Sequence, residues 1–383
     1  MKRLLKLESI SQNNWSIPAT HSSGQVNRPL ISLSVPVYGT ESSLPALLDS
    51  ILAQNLLLKN TVQKSGFFSN NKDTLPIEIL IVNDGSPGGS SLPKILKPYK
   101  KKFKNLGITL TLLEHRKNLG LVEARRTAAN AASGSYIFFA DPDDTLPSDS
   151  LLVFYNGLLA SGNGNLSDAA DIIHGKMRLS VPQFDTADKK NAEKFDTFSK
   201  SVQSIHPGFL SGNEVLENFL IKKEHSGFLC AKLFRTGLLQ EVYAELPHIF
   251  CIMAEDLLLY FFVLLKKPSY YGIDSFVYNY INDTGISSAS QVINLDRWEK
   301  ICSSASVFTI IFSYIQEHPL DEKYIDELRI ACNNQLKKNI TKMKRDFTGS
   351  LRAEAYAILC DYWGEDYVKQ IEKSMKDEEQ KPK

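Results

Sequence analysis

An α/β protein built on a mostly parallel sheet is what this sequence predicts, and three observations predict it. Apolar runs of strand character alternate with amphipathic helical stretches through the first 150 residues. Three of those runs stop abruptly on polar turns: Pro36-Val37-Tyr38-Gly39, Asn83-Asp84-Gly85-Ser86 and Asp141-Pro142-Asp143-Asp144. In open α/β sheets the carboxyl ends of the strands line one crevice, and ligands bind there. The length of 383 residues adds room for about two lobes.

The elements follow in order. Residues 1–28 are polar and irregular and read as a leader segment. Residues 30–37 form the first strand, followed by a helix with Leu44, Leu47, Leu48, Ile51 and Leu52 on one face and Pro45 in its first turn. Residues 77–82 form a second strand, and the largely polar stretch 56–74 between them reads as a surface insertion. Leu92, Ile95, Leu96, Tyr99 and Phe103 then recur at helical spacing among six lysines, with Pro98 expected to kink or shorten that helix. A third strand near 108–113 precedes Asn118-Leu119-Gly120. These residues open a helix in which Leu121, Ala124, Ala128 and Ala132 are spaced for close packing and Gly134 serves as C-cap. Residues 136–140 make the fourth strand.

After residue 150 the alternation fades. Residues 195–209 show no clear period, 227–234 and 271–280 read as strands, and 254–265 as a buried helix opening on Glu255-Asp256. Asn282-Asp283-Thr284-Gly285 marks a turn. Helices follow from Trp298 and after Asp321, and the charged end from Glu372 reads as disordered. The implied organisation is a leader (1–28), a ligand-binding half (29–150), a second half (151–290) and a C-terminal helical extension (291–383).

Composition excludes several classes. A formal charge of +1 leaves no global basic field for nucleic acid. The lysine-rich helix reads as a solvated face, with peripheral contact to an anionic membrane as the alternative. Five cysteines, far apart and without a Cys-x-x-Cys, indicate neither a disulfide framework nor a zinc site and favour a reducing cytoplasm. The first 15 residues lack the apolar core of a signal peptide, and the longest apolar run is too short to span a bilayer.

Chemistry concentrates at the fourth strand end. Asp141 and Asp143 lie two apart, and a turn can converge them on a hard cation such as Mg²⁺ or Mn²⁺, which completes its shell with phosphate oxygens and water. The same residues also suit a plain turn or a helix N-cap.

Four segments in order discriminate between these readings: Leu33-Ser-Val-Pro-Val-Tyr, Glu78-Ile-Leu-Ile-Val-Asn-Asp-Gly-Ser, Asn118-Leu-Gly-Leu-Val-Glu-Ala-Arg and Tyr136-Ile-Phe-Phe-Ala-Asp-Pro-Asp-Asp. Over about residues 29–150 they resemble the inverting family 2 glycosyltransferases of bacterial type. That resemblance implies the GT-A fold, a Rossmann-like and mostly parallel sheet flanked by helices. It also implies a nucleotide-sugar donor, usually a UDP-sugar. Pro36, Tyr38 and Glu41 would then flank base and ribose, and Asn83 and Asp84 would meet the uracil edge. This chain carries Asn83 where relatives often have Asp, and Ser86-Pro-Gly-Gly where many have Ser-Thr-Asp.

By the same resemblance Asp141 would bind ribose and Asp143 the metal, with Asp141 beside it. Arg125 would either pair with a carboxylate or reach the nucleotide. Asp144 would cap a helix or stand behind the metal pair. Glu255-Asp256 resembles the family's acidic pair, in which Asp256 deprotonates the acceptor hydroxyl; acidic residues also suit a first helical turn for dipole reasons. The implied reaction is a metal-dependent in-line transfer to a glycan, lipid-linked saccharide or glycoprotein acceptor, in the cytoplasm or at the inner face of the membrane. Two rival readings remain. One is a haloacid dehalogenase-like phosphatase using Asp141 as nucleophile; the other is a non-catalytic nucleotide-sugar-binding module.

Overall fold

The computed structural model describes residues 29–55, 77–180, 189–251, 253–281 and 294–379. The leader, the 56–74 insertion and the turn at 282–285 lie outside them. The first half alternates strands β1 (Ile31–Val37), β2 (Ile77–Asn83), β3 (Thr109–Glu114) and β4 (Tyr136–Phe139) with helices α1 (Leu44–Leu52), α2 (Leu92–Asn105) and α3 (Leu121–Ala131). The second half comprises α4 (Ser150–Ser161), β5 (Ile172–Ser180), α5 (Lys189–Gln203), β6 (Gly208–Ser211), α6 (Asn213–Glu217), β7 (Lys232–Arg235), α7 (Thr236–Glu245), α8 (Glu255–Leu265) and β8 (Ser269–Ile281). Helices α9 (Leu295–Cys302), α10 (Ser304–Glu317), α11 (Glu322–Asp346), α12 (Gly349–Trp363) and α13 (Glu365–Glu379) form the C-terminal region.

All eight strands share one sheet in the order β3-β2-β1-β4-β7-β5-β8-β6. Pairings β3–β2, β2–β1 and β1–β4 are parallel, whereas β7 runs antiparallel between β4 and β5. The expected Rossmann-like sheet with flanking helices and a helical extension is thus borne out. β1 and β4 are buried along their whole length, which is why they read as continuous apolar runs rather than alternating ones.

The two faces of the sheet are filled differently. Ile31, Leu33, Val35 and Val37 pack with Leu44, Leu48, Leu96 and Phe103 under α1 and α2. On the other face β1 presents the small Ser32 and Ser34, then Pro36, and α3 approaches with Ala124 and Ala128 beside Leu80 and Val82. Small residues on both partners let this helix lie close. Gly85 is held at φ +65°, and a Cβ there would sit 2.3 Å from the Lys117 carbonyl carbon, so only glycine suits the turn after β2.

Several expectations need correction. α2 runs unbroken through Pro98, which is exposed; its six lysines are exposed too, so the amphipathic reading holds. Gly134 is not the C-cap of α3; Ala132, already extended, fills that role, and the Gly134 N–H donates instead to Ser32 Oγ at 2.9 Å. Only Lys232–Arg235 of the 227–234 run pairs as strand, because Ala231 turns the chain at φ 63°. Within 195–209, α5 ends at Gln203 and β6 begins at Gly208; Phe195, Phe198 and Val202 were at helical spacing after all. The charged end is helical to Glu379, anchored by buried Val368 and Ile371 and by the pairs Lys344–Glu372 and Lys337–Glu378. No helix among the described residues is long and apolar enough to cross a membrane.

Candidate active site

The carboxyl ends of β1 and β4, the start of α3 and the start of α8 wall a cleft of about 400 Å³. Each wall is shaped by a local hydrogen-bond arrangement. After β2, Asp84 is buried and turns inward on the protein itself: Oδ1 accepts from the Leu119 N–H (2.8 Å), Oδ2 accepts from the Gly120 N–H (2.9 Å), and His115 Nδ1 lies 2.7 Å from Oδ1. These bonds pin the turn that opens α3. Asn83 Oδ1 accepts from the Ser86 N–H, and Ser86 Oγ donates to Glu41 while accepting from the Gly39 N–H. The first two strand-end loops are thereby knitted together.

Arg125, on α3, is the centre of the site. Only 2% of its side chain is exposed, and its guanidinium lies 5.5 Å from the centre of the Phe139 ring. Nη1 donates to Asp256 Oδ1 at 2.7 Å and to Glu255 Oε1 at 3.4 Å, while Nη2 lies 3.5 Å from Asp141 Oδ1. Burial opposes its charge, yet Asp256, Asp141 and Glu255 outweigh burial and hold the guanidinium well above its ordinary range. A planar fork offers several fixed donor directions at once, so one guanidinium can hold these carboxylates in a defined geometry. Burial, then the neighbouring Asp256, push Glu255 up to about 8 against the pull of Arg125. Burial raises Asp141 as well, against the same arginine. The acidic pair follows Ala254, which adopts the left-handed φ of 63°, a conformation rare for a residue with a side chain.

The loop after β4 is tied to β8. Tyr278 Oη accepts from the Asp141 N–H (2.9 Å) and donates to Asp144 Oδ2 (2.8 Å), and Asp144 Oδ1 accepts from the Ile281 N–H (2.7 Å). Burial, reinforced by Asp141, pushes Asp144 up to about 8. Asp144 therefore stands behind the Asp141–Asp143 pair; the N-cap of α4 is Asp149.

Of the residues singled out from sequence, Pro36, Tyr38, Asp84, Arg125, Asp141, Asp143, Glu255 and Asp256 line the cleft. Glu41 and Asn83 do not; their side chains brace the loops. Tyr278 heads a run that resembles the family's closing loop near the diphosphate, yet its bridge to the loop after β4 escaped sequence reasoning, because nothing local marks a tyrosine as facing a residue 137 positions away. Phe228 and Cys230, from the irregular segment before β7, also line the cleft. No group of three or more His, Cys, Asp or Glu that could hold a metal occurs among the described residues. Asp141 and Asp143 still offer hard oxygen donors, and such a pair fits Mg²⁺ or Mn²⁺ when a ligand's phosphate oxygens and water complete the shell.

Comparisons with known proteins agree with this layout. Residues 32–209 match the model of the family described as glycosyl transferase family 2. The chain is 34% identical over 120 residues to the "Uncharacterized glycosyltransferase EpsJ" of Bacillus subtilis, a match covering 31% of this chain and 28% of that one. It is 35% identical over 127 residues to the poly(ribitol-phosphate) beta-glucosyltransferase of Bacillus spizizenii, covering 33% of this chain and 17% of the relative. Among solved structures, the mannosyltransferase PcManGT from Pyrobaculum calidifontis in complex with GDP-Man and Mn²⁺ superposes with a TM-score of 0.48 at 15% identity, covering 97% of this chain and 88% of that one. The curated matches thus span less than a third of those relatives' lengths. With Asp141 closing the fourth strand rather than opening the sheet, the dehalogenase-like alternative falls away, and it is glycosyl transferase family 2 that residues 32–209 match.

Proposed function

We propose that the protein transfers a sugar from a nucleotide-sugar donor, in the first instance a UDP-sugar, to a hydroxyl of a glycan, lipid-linked saccharide or glycoprotein acceptor. The carrying observation is the gathering of Asp141, Glu255 and Asp256 around Arg125 in a cleft walled by the strand ends. Asp256 accepts the acceptor hydroxyl proton as that oxygen bonds to the anomeric carbon. The bond from that carbon to the diphosphate oxygen breaks on the opposite face, and its electron pair leaves with the nucleotide. The configuration inverts. Glu255, pushed up to about 8, keeps its proton at neutral pH, so it is the weaker candidate for base. Arg125 holds Asp256 Oδ1 in place, and a base fixed in position is what proton transfer at hydrogen-bond range requires.

Asp143, with Asp141 beside it, would hold Mn²⁺ or Mg²⁺. When bound, that ion supplies Lewis-acid stabilisation of the leaving diphosphate. Asp141 is shared with Arg125, so it would stand beside the ion rather than hold it alone. The name of the relative that acts on poly(ribitol-phosphate) supports a cell-surface polymer as acceptor. The five free cysteines suit a reducing compartment, and we assign the reaction to the cytoplasm or the inner membrane face.

Calorimetry with UDP, with and without Mn²⁺, tests the reading, followed by a screen of UDP-sugars for donor hydrolysis. The expected result is tighter UDP binding with metal, a gain that Asp143→Ala removes. Equal affinity under all three conditions overturns the metal role. Failure of every nucleoside diphosphate to bind overturns the donor reading.

A further inference from the structure

One wall of the cleft is made by a segment without regular structure. Phe228 and Cys230, just before β7, both line the cleft, and Cys230 Sγ lies 3.7 Å from Asp141 Oδ2. Residues 226–231 belong to no helix or strand, so no ladder of backbone bonds fixes them. Their position has to come from elsewhere.

It comes from the lysine that opens the next strand. Ala231, at a left-handed φ of 63°, turns the chain, and the side chain of Lys232 reaches back to the residues before it. Lys232 is fully buried; Nζ donates to the Ser226 carbonyl at 2.9 Å and to the Phe228 carbonyl. The ammonium also lies 4.7 Å from the centre of the Tyr260 ring, within cation–π range. Tyr260 follows Asp256 by four residues on α8, one helical turn along the same face. Lys232 therefore touches both the cleft wall and the helix that carries the proposed base. The start of the segment is tied to the same helix, with His225 Nε2 2.8 Å from Tyr260 Oη. A buried cation is costly unless it is hydrogen-bonded, and the two carbonyls supply those bonds. Burial pushes the ammonium down to about 7, against the pull of Asp256. The amine left on deprotonation still has an N–H for each carbonyl.

We propose that Lys232 is a positioning residue: by holding the carbonyls of Ser226 and Phe228, it sets the segment that places Phe228 and Cys230 in the cleft. That wall belongs to the second half, which also supplies Asp256. On the nucleotide-sugar reading above, it is the acceptor side of the cleft. Only this last assignment rests on that reading; the positioning itself does not.

Cys230, only 5% exposed, reports on the segment directly. The test compares wild type, Lys232→Met and Lys232→Gln in the full chain. Alkylation of each cysteine by iodoacetamide is timed by peptide mass spectrometry at one fixed pH. Lys232→Met leaves two carbonyls without their donor, so Cys230 should react about tenfold faster through local opening. Cys302, Cys332 and Cys360, in the C-terminal helices, should keep their wild-type rates. Lys232→Gln, with a neutral donor one atom shorter, should speed Cys230 by about threefold, and it decides alone if Lys232→Met does not fold. Equal acceleration at all four thiols would show general loosening and overturn the proposal. So would an unchanged Cys230 rate, or a Gln variant as exposed as the Met variant. UDP affinity, measured by calorimetry in Mn²⁺, should stay within about twofold of wild type in both variants. A UDP loss as large as the gain in Cys230 reactivity would overturn the acceptor-side assignment. If wild type binds no nucleoside diphosphate at all, the nucleotide reading falls, while the thiol rates still decide the role of Lys232.

Discussion

Two carboxylates on opposite walls of the cleft are held in contrasting ways. Asp84, in the first half, spends both oxygens on backbone N–H groups of Leu119 and Gly120 and on His115, all 31 to 36 residues away. Asp256, in the second half, is held by the side chain of Arg125 across 131 residues, and a quarter of its own side chain stays exposed. The first arrangement is scaffolding: backbone donors fix a turn and leave little of the carboxylate for a ligand. The second presents a carboxylate to the cleft with one oxygen anchored. The strand ends of the first half therefore build one wall largely with bonds to backbone, while one buried arginine ties it to the acidic pair of the second half.

The comparison can be broken at its most consequential point. Asp256→Asn keeps the shape and removes the proposed base, so transfer should fall by roughly 10²–10⁴-fold while UDP affinity survives. Glu255→Gln should cost far less. A near wild-type rate in Asp256→Asn would move the base elsewhere, with Asp144 the first candidate.

Arg125→Met sharpens the claim that one residue joins the halves. It leaves Asp256, Glu255 and Asp141 facing one another without their shared cation. Breaking a buried ion cluster on one side typically costs about 3–5 kcal/mol, and urea unfolding should show a loss of that order. An unchanged midpoint would mean that the shared sheet and core packing hold the halves together without it.

The last prediction is a pH dependence. Glu255 keeps its proton to about pH 8 in the folded chain, against an ordinary value of 4.5. Over that window the folded state binds more protons than the unfolded one, so the stability linked to Glu255 is complete below the lower value. It is lost as pH rises through the upper one. In metal-free buffer the melting temperature of Glu255→Gln should therefore match wild type near pH 4.5, pull ahead as pH rises and level off above about pH 8. A constant difference across that range would show that Glu255 does not titrate there.

Legibility followed the same division. The strands β1, β2 and β4 could be read because each is buried on both faces and stops at a turn sequence with Asp, Asn, Gly or Pro. The site residues at those stops, Pro36, Tyr38, Asp84, Asp141 and Asp143, do line the cleft. Glu41 and Asn83 lay in the right loops but turn from the cleft: Glu41 reaches across to Ser86, and Asn83 bonds back to Ser86 in its own loop and to Glu114. In the second half, α5 was blurred by flanking serines and lysines, and β7 was overextended because nothing in Cys230-Ala231-Lys232 announces the positive φ at Ala231. The charged C-terminal segment looked disordered because Val368 and Ile371 are few, yet burying them against α11 and α12 suffices to seat the helix.

The sequence by itself determined the parallel sheet, the positions of its polar stops and the residue types available for chemistry, since periodicity and turn propensity act over a few residues. Only the tertiary structure decided which of those groups share a space. Arg125 meets Glu255 and Asp256, Tyr278 bridges Asp141 and Asp144, and Lys300 sits over Tyr38. Each of these contacts spans more than 100 residues. Burial and the long-range approach of charges, which no local pattern encodes, set both the protonation of Glu255 and Asp144 and the division of labour around the arginine.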